Sequence, residues 1–157
     1  TTKMSHIRLT QVLIHNNPAS FNSPLIFDIT FECVQPIAAD LEWKVVYVGS
    51  ADSEKNDQLL DSIWLGPVNV GSNQFVFEVE PPDYSRIPKD DLLGVTVVFL
   101  FCAYKGEDFI RVGYYVSNEY SDPELASNPP ETPDVSRVVR NILAEKPVVT
   151  GFPIRWD

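Results

Sequence analysis

The chain has 157 residues, 44% of them hydrophobic, and a formal net charge of −10. That length supports one domain with a sizeable core, and no apolar run approaches the roughly 18 residues of a membrane span. The acidic balance argues against direct nucleic-acid binding, which needs Lys and Arg to neutralise phosphate, and leaves a basic partner and simple solubility as equal readings.

The N-terminus shows no charged-then-apolar leader and reads without a secretory signal. Thr1-Thr2-Lys3 ahead of Met4 read as extraneous, so a single domain is expected over residues 4–157. Ile7 to His15 alternates loosely as a first strand, and Asn16-Asn17-Pro18-Ala19 reads as a turn. Leu25 to Val34 alternates cleanly, with Phe27, Ile29, Phe31 and Cys33 toward a core and Asp28, Thr30 and Glu32 toward water. Leu41 to Val48 repeats the pattern: Leu41, Trp43, Val45 and Tyr47 point inward, and Glu42, Lys44, Val46 and Val48 point outward. It runs into a polar, acidic loop from Gly49 to Asp57.

Leu59 to Leu65 and Asn73 to Glu80 read as further strands, separated by Gly66-Pro67 and Gly71. Pro81 to Asp91 is a long loop in which Pro88 opens one helical turn. Leu93 to Tyr104 is a strand that is apolar on both faces: Val95, Val97, Phe99, Phe101 and Ala103 on one, Thr96, Val98, Leu100, Cys102 and Tyr104 on the other. After the turn Lys105-Gly106-Glu107, the next strand has Ile110, Val112, Tyr114 and Val116 on one face and Phe109, Arg111, Gly113 and Tyr115 on the other. An arginine is rarely buried without a partner, so its face is the outer one. Paired as a hairpin, the two strands expose an apolar patch with an arginine in it, and such patches mark binding sites.

Glu119 to Asp134, with Asn128-Pro129-Pro130-Glu131-Thr132-Pro133, reads as irregular; Val135 to Ala144 is short and amphipathic; Val148 to Trp156 is a last strand. Seven or more short strands joined by Gly/Pro turns describe an all-β, immunoglobulin-like antiparallel β-sandwich with short helical turns in its loops. Cys33 and Cys102 fall mid-strand. An inter-sheet disulfide is one reading, but without an Asn-x-Ser/Thr sequon or a leader, buried free thiols are expected.

The search for catalysis is negative. Only His6 and His15 exist, so no zinc cluster or Cys-His pair has support, and nucleotide-loop and nucleophile-elbow motifs are absent. Asp90-Asp91, or Asp57 with Asp61, form acid pairs of the kind 22 acidic residues give by chance. No enzyme activity, metal or cofactor is expected.

A set of segments then carries a resemblance. Asp40-Leu41-Glu42-Trp43-Lys44, Tyr47-Val48-Gly49-Ser50, Asp57-Gln58, Leu65-Gly66-Pro67-Val68, Phe75-Val76-Phe77 and Gly94-Val95-Thr96-Val97-Val98 belong to it. So do Phe109-Ile110-Arg111-Val112-Gly113-Tyr114-Tyr115-Val116, Asn118-Glu119-Tyr120, Asn128-Pro129-Pro130 and Arg140-Asn141-Ile142-Leu143-Ala144. Together, from about Ile7 to Trp156, they closely resemble the conserved core of the anti-silencing function histone chaperones.

The resemblance implies an elongated immunoglobulin-like sandwich, monomeric and nuclear with a cytosolic pool, that binds a histone H3–H4 dimer. It implies that the protein blocks H3–H4 tetramer formation and hands histones on during nucleosome assembly and disassembly. Carried over, Val97 matches the central H3 contact, with Val48, Val95, Phe99 and Tyr115 around it, Asp57 and Arg111 as ion-pairing residues and Asp91 on the acidic rim. Tyr114, Leu143, Pro147 and Thr150 match the site that takes the H4 tail as an added strand; Val148 stands where many members carry Arg. Asp40, Ser62, Trp64, Leu65 and Phe75 match a region that binds basic segments of larger chromatin-assembly factors, with Ala39 in place of an acidic residue and Trp64 bulkier than the usual aliphatic one. Many members continue into a long acidic tail beyond this core. The alternative reading is a generic immunoglobulin-like interaction module with another basic partner.

Overall fold

The computed structural model describes residues 5–156, so Thr1-Thr2-Lys3 lie outside the described residues. Two-residue alternation dictates the architecture: a strand with one apolar face must bury it against another layer. Ten strands do so. They are β1 (Ile7–His15), β2 (Ala19–Ser20), β3 (Leu25–Cys33), β4 (Leu41–Val48), β5 (Asp57–Leu65), β6 (Gly71–Val79), β7 (Gly94–Tyr104), β8 (Glu107–Tyr120), β9 (Val138–Ile142) and β10 (Val148–Gly151). Two short helices, α1 (Lys89–Leu92) and α2 (Pro123–Ser127), lie in the loops.

A three-stranded sheet runs β1-β3-β6; a larger sheet runs β2-β9-β8-β7-β4-β5, and every pairing is antiparallel. The long strand β8 serves two partners along its second edge: β10 through Ile110–Gly113 and β9 through Val116–Tyr120. The result is the expected all-β, immunoglobulin-like sandwich.

Its core lies between the sheets. Phe27, Ile29 and Phe31 of β3 meet Trp43, Val45 and Tyr47 of β4, and Val98, Leu100, Val112, Tyr114 and Val116 of β7 and β8, all buried. Phe31 tilts against Trp43 at 5.6 Å and Phe27 against Tyr114 at 6.5 Å. Each such side chain contributes roughly 1.5–3 kcal/mol by leaving water.

Two buried polar groups lock the larger sheet. Asn118 Nδ2 donates to the Tyr47 hydroxyl at 2.8 Å. Arg140 is 1% exposed and its guanidinium donates to the carbonyls of Phe21 (3.0 Å), Ser23 (2.9 Å) and Pro24 (3.2 Å), pinning that turn to β9. Burial lowers its pKa from the ordinary arginine range.

Several expectations change. Phe109 is buried, not outward: the β7–β8 register shifts at Cys102/Ala103, leaving Phe109 as the extra residue of a bulge, turned onto Trp156 at 4.6 Å. The last strand stops at Gly151, because Pro153 has no N–H to give and Trp156 folds back to stack on Tyr104 (4.9 Å) and His6 (5.2 Å). Glu119 and Tyr120 still belong to β8, paired with Val139 and Val138, and α2 follows with Asp122 capping it through Glu124 N at 2.9 Å. The amphipathic stretch from Val135 is one turn of 3₁₀ helix and then β9, whose inward set Val138, Arg140 and Ile142 hides a cation in a core position. The turn before β3 contains the short strand β2. Cys33 and Cys102 are free and buried.

Candidate functional site

The outer face of the large sheet carries side chains in rows set by the register. Val48 stands opposite Asp57, and Val97 opposite Tyr115. The Thr96 hydroxyl donates to the Val48 carbonyl at 2.5 Å, stitching these two pairs together. The next row is Leu59–Val46–Phe99–Gly113–Val148, and the one after it Ser62–Lys44–Phe101–Arg111–Thr150.

An apolar patch results at the middle of an open sheet face, with Val95 70%, Leu59 60% and Tyr115 49% exposed and Val46, Val48, Val97 and Phe99 half-buried. It has no covering layer among the described residues, unlike the inner face.

Gly113 is what lets Phe99 lie flat there. A Cβ at Gly113 would stand 3.1 Å from the Phe99 ring, so any other residue there makes the ring shift by a few tenths of an ångström. The ring in turn supports Arg111, whose guanidinium sits 5.4 Å from Phe99 and 5.5 Å from Phe152. Between two rings the cation is positioned with low conformational freedom, and it makes no ion pair among the described residues. Lys44 is different: it lies over Phe101 at 5.5 Å and pairs with Asp108 at 2.9 Å.

Acids border the patch at the opposite end. The loop before β5 closes through Gly49 N donating to Asn56 O at 3.1 Å, and a Cβ on Gly49 would overlap that carbonyl. A 3₁₀ turn, Glu54–Asn56, then delivers Asp57 beside Val48. Burial and the neighbouring Glu54 push the Asp57 carboxyl above its ordinary range. Among the described residues no cation pairs with this partly buried carboxylate, which is poised for one. Asp91 is half-buried on α1, which leads through Leu93 into β7. Gln58 ties the loop that bears α1 to β5, donating to Asp83 O (2.9 Å) and accepting from Asp83 N (2.8 Å).

The second expected group converges differently. Leu143 and Pro147 are exposed on the turn between β9 and β10, and Leu143 N donates to Tyr115 O at 2.8 Å. Thr150 pairs with Arg111 on β10. Tyr114 points inward and is 2% exposed, with burial pushing its pKa up to about 12. It nonetheless lines a cleft of about 180 Å³ with Leu9, Val12, Pro147 and Val149. That cleft lies between β1 and β10, each of which has one strand partner and one free edge among the described residues. Val148 and Val149 are both more than half exposed.

The third group is split by the alternation of β5. Ser62 and Trp64 face outward, beside Lys44 and Glu42; Ser62 Oγ donates to Glu42 at 2.8 Å, and Trp64 is 61% exposed. Leu65 turns inward opposite Leu41, and Phe75 reaches from β6 onto Trp43 at 5.3 Å. Asp40 is exposed and packs on Gly66, where a Cβ would overlap its carboxylate. Asp40, Leu65 and Phe75 thus lie along the sandwich side, and Ser62 and Trp64 on the open face.

Sequence reasoning missed Leu59 and Phe152. A register shift at Val45/Val46 brings Leu59, not Leu60, into line with the patch. Phe152 joins Arg111 only through the fold-back of the C-terminal segment, for which no local pattern exists.

Comparison with known proteins decides the family. The profile described as "ASF1 like histone chaperone" matches residues 4–157. The chain belongs to that family. Histone chaperone asf1 of Dictyostelium discoideum is 78% identical over 154 residues, covering 98% of this chain and 100% of that protein. Histone chaperone asf1 of Drosophila melanogaster is 53% identical, covering 98% of this chain and 71% of that protein. Histone chaperone ASF1B of Mus musculus is 53% identical, covering 98% and 76%. Membership in the histone chaperone family gives the chain a histone-binding role.

Proposed function

We propose that residues 4–157 act as one histone-binding domain that takes an H3–H4 dimer in the nucleus. Histone H3 docks on the open face of the large sheet and there covers the surface through which two dimers would join. The carrying observation is the uncovered patch of Val46, Val48, Val95, Val97, Phe99 and Tyr115, with Asp57 and Asp91 bordering one end and Arg111 held between two rings at the other. Apolar anchors in the centre with charges at the rim suit an amphipathic helix rich in basic residues. The formal charge of −10 adds long-range attraction for histones.

The free edge of β10 takes the H4 tail as an added strand, a role favoured by the adjoining cleft at Tyr114 and Pro147, with Leu143 on the preceding turn and Thr150 on β10 itself. With Val148 at the start of this strand, that contact relies on backbone pairing and apolar packing. Asp40, Leu65 and Phe75, with Ser62 and Trp64 around the edge of β5, receive a short basic segment of a larger assembly factor. Release of histones to such factors serves nucleosome assembly and disassembly.

The test is a titration of labelled H3–H4 with wild type and Val97→Arg. An arginine at the centre buries an unmatched charge and costs about 3–5 kcal/mol, at least about a hundredfold in affinity. A folded variant that binds at full strength places H3 elsewhere.

A further inference from the structure

The chain contains two Ser/Thr-Pro dipeptides, Ser23-Pro24 and Thr132-Pro133. The histone reading uses neither, and the fold treats them in opposite ways.

Ser23-Pro24 is locked. Ser23 N donates to Ser20 O at 2.9 Å, and the carbonyls of both Ser23 and Pro24 accept from the buried Arg140 guanidinium. Both residues are half-buried. An enzyme that needs this segment extended must first break the Arg140 fork.

Thr132-Pro133 is presented. Residues 127–132 form an unbroken exposed run, and residues 129–133 make no hydrogen bond, ion pair or ring contact among the described residues. Pro129, Pro130 and Pro133 each fix their own φ and disfavour helix in the residue before them, and the backbone bends at Glu131 and Thr132. The ends of the segment are fixed: Asn128 N donates to Glu124 O at 3.0 Å, and Asp134 N to the Tyr120 hydroxyl at 2.9 Å. The segment is therefore an anchored, solvent-exposed strap, neither helix nor strand, with a hydroxyl followed by proline. With no hydrogen bond of residues 129–133 to break among the described residues, the strap is free to extend into the substrate cleft of a proline-directed protein kinase, which accepts a residue lacking an N–H at the position after the hydroxyl.

We propose that Thr132 is a phosphorylation site for a proline-directed Ser/Thr kinase, and that Ser23 is protected by the fold. ATP·Mg²⁺, bound by the kinase from solution, is the phosphoryl donor. The Thr132 Oγ1–phosphorus bond forms, the bond from the γ-phosphorus to the β,γ-bridging oxygen breaks, ADP leaves, and the hydroxyl proton passes to the kinase's base. The product carries about two further negative charges on an already acidic chain.

The experiment incubates the purified full chain with ATP and a purified mitogen-activated protein kinase, followed by tryptic peptide mass spectrometry. Trypsin separates the two sites, because Ser23 falls in the peptide 9–44 and Thr132 in the peptide 112–137. Phosphate is expected on 112–137, with Thr132→Ala losing roughly tenfold or more of the incorporation; modification at Ser23 waits on local opening and is slower by roughly a hundredfold. Ser23→Ala is expected to leave the rate unchanged. Phosphate on 9–44 in preference to 112–137, unchanged incorporation into Thr132→Ala, or no incorporation under conditions that phosphorylate a control substrate, overturns the proposal.

Discussion

Arg140→Met tests whether the buried guanidinium organises the large sheet. The side chain is 1% exposed, makes no ion pair among the described residues, and gives hydrogen bonds of 2.9–3.2 Å to three carbonyls. Methionine keeps much of the aliphatic stem's packing but leaves those carbonyls without their donor. At about 1–1.5 kcal/mol for each lost bond the gross loss is about 3–4.5 kcal/mol. Removing a charge that burial disfavours returns part of it, leaving a net loss of roughly 2–4 kcal/mol. For a chain of this size that is a fall in Tm of roughly 5–15 °C. Urea unfolding followed by tryptophan fluorescence, with an unchanged m-value, is the assay. Arg140→Lys, which keeps the charge but not the fork, falls between the two. A loss below about 1 kcal/mol for Met, or a Lys variant as stable as wild type, refutes the reasoning.

Other outcomes follow from the same geometry. Asp57→Asn is expected to raise stability slightly at neutral pH and to weaken histone binding. The folded pKa of Asp57 lies above its ordinary 3.8, so its favourable contribution is full below that value and is lost as pH rises through the folded pKa. Thermal melts at pH 7 beside an H3–H4 titration check both signs, and a variant that is less stable with binding intact contradicts the assignment. Gly113→Ala is expected to push the Phe99 ring aside, because the new Cβ would lie 3.1 Å from it; a lower histone affinity with less than about 1.5 kcal/mol change in stability is the predicted pattern. Cys33 and Cys102 are buried and burial raises both thiol pKa values. A thiol reagent should therefore label neither in the native protein and both after denaturation without reductant.

The parts of the fold that were legible in the sequence are those where one strand face is polar. β3 and β4 announce themselves through Asp28, Thr30 and Glu32, and through Glu42 and Lys44, so their inward sets follow from alternation alone. The same rule located the patch, because Arg111 identified the outer side of β8 and the hairpin transferred that side to β7. It failed where the register slips. The bulge at Cys102/Ala103 turns Phe109 inward, and the shift at Val45/Val46 turns Leu59 outward; neither leaves a mark in local periodicity. It also failed at Arg140, where a cation occupies a core position because three carbonyls from a distant turn satisfy it. The resemblance named residues for three surfaces, but it took the alternation of β5 to show that Trp64 and Ser62 sit on a different face from Leu65.

Size-exclusion chromatography with light scattering, on the chain mixed with recombinant H3 and H4, tests the central claim most directly. A complex of one chain with one H3 and one H4, absent with Val97→Arg, is the predicted result. A complex built on an H3–H4 tetramer, or one that forms equally well with Val97→Arg, would contradict it.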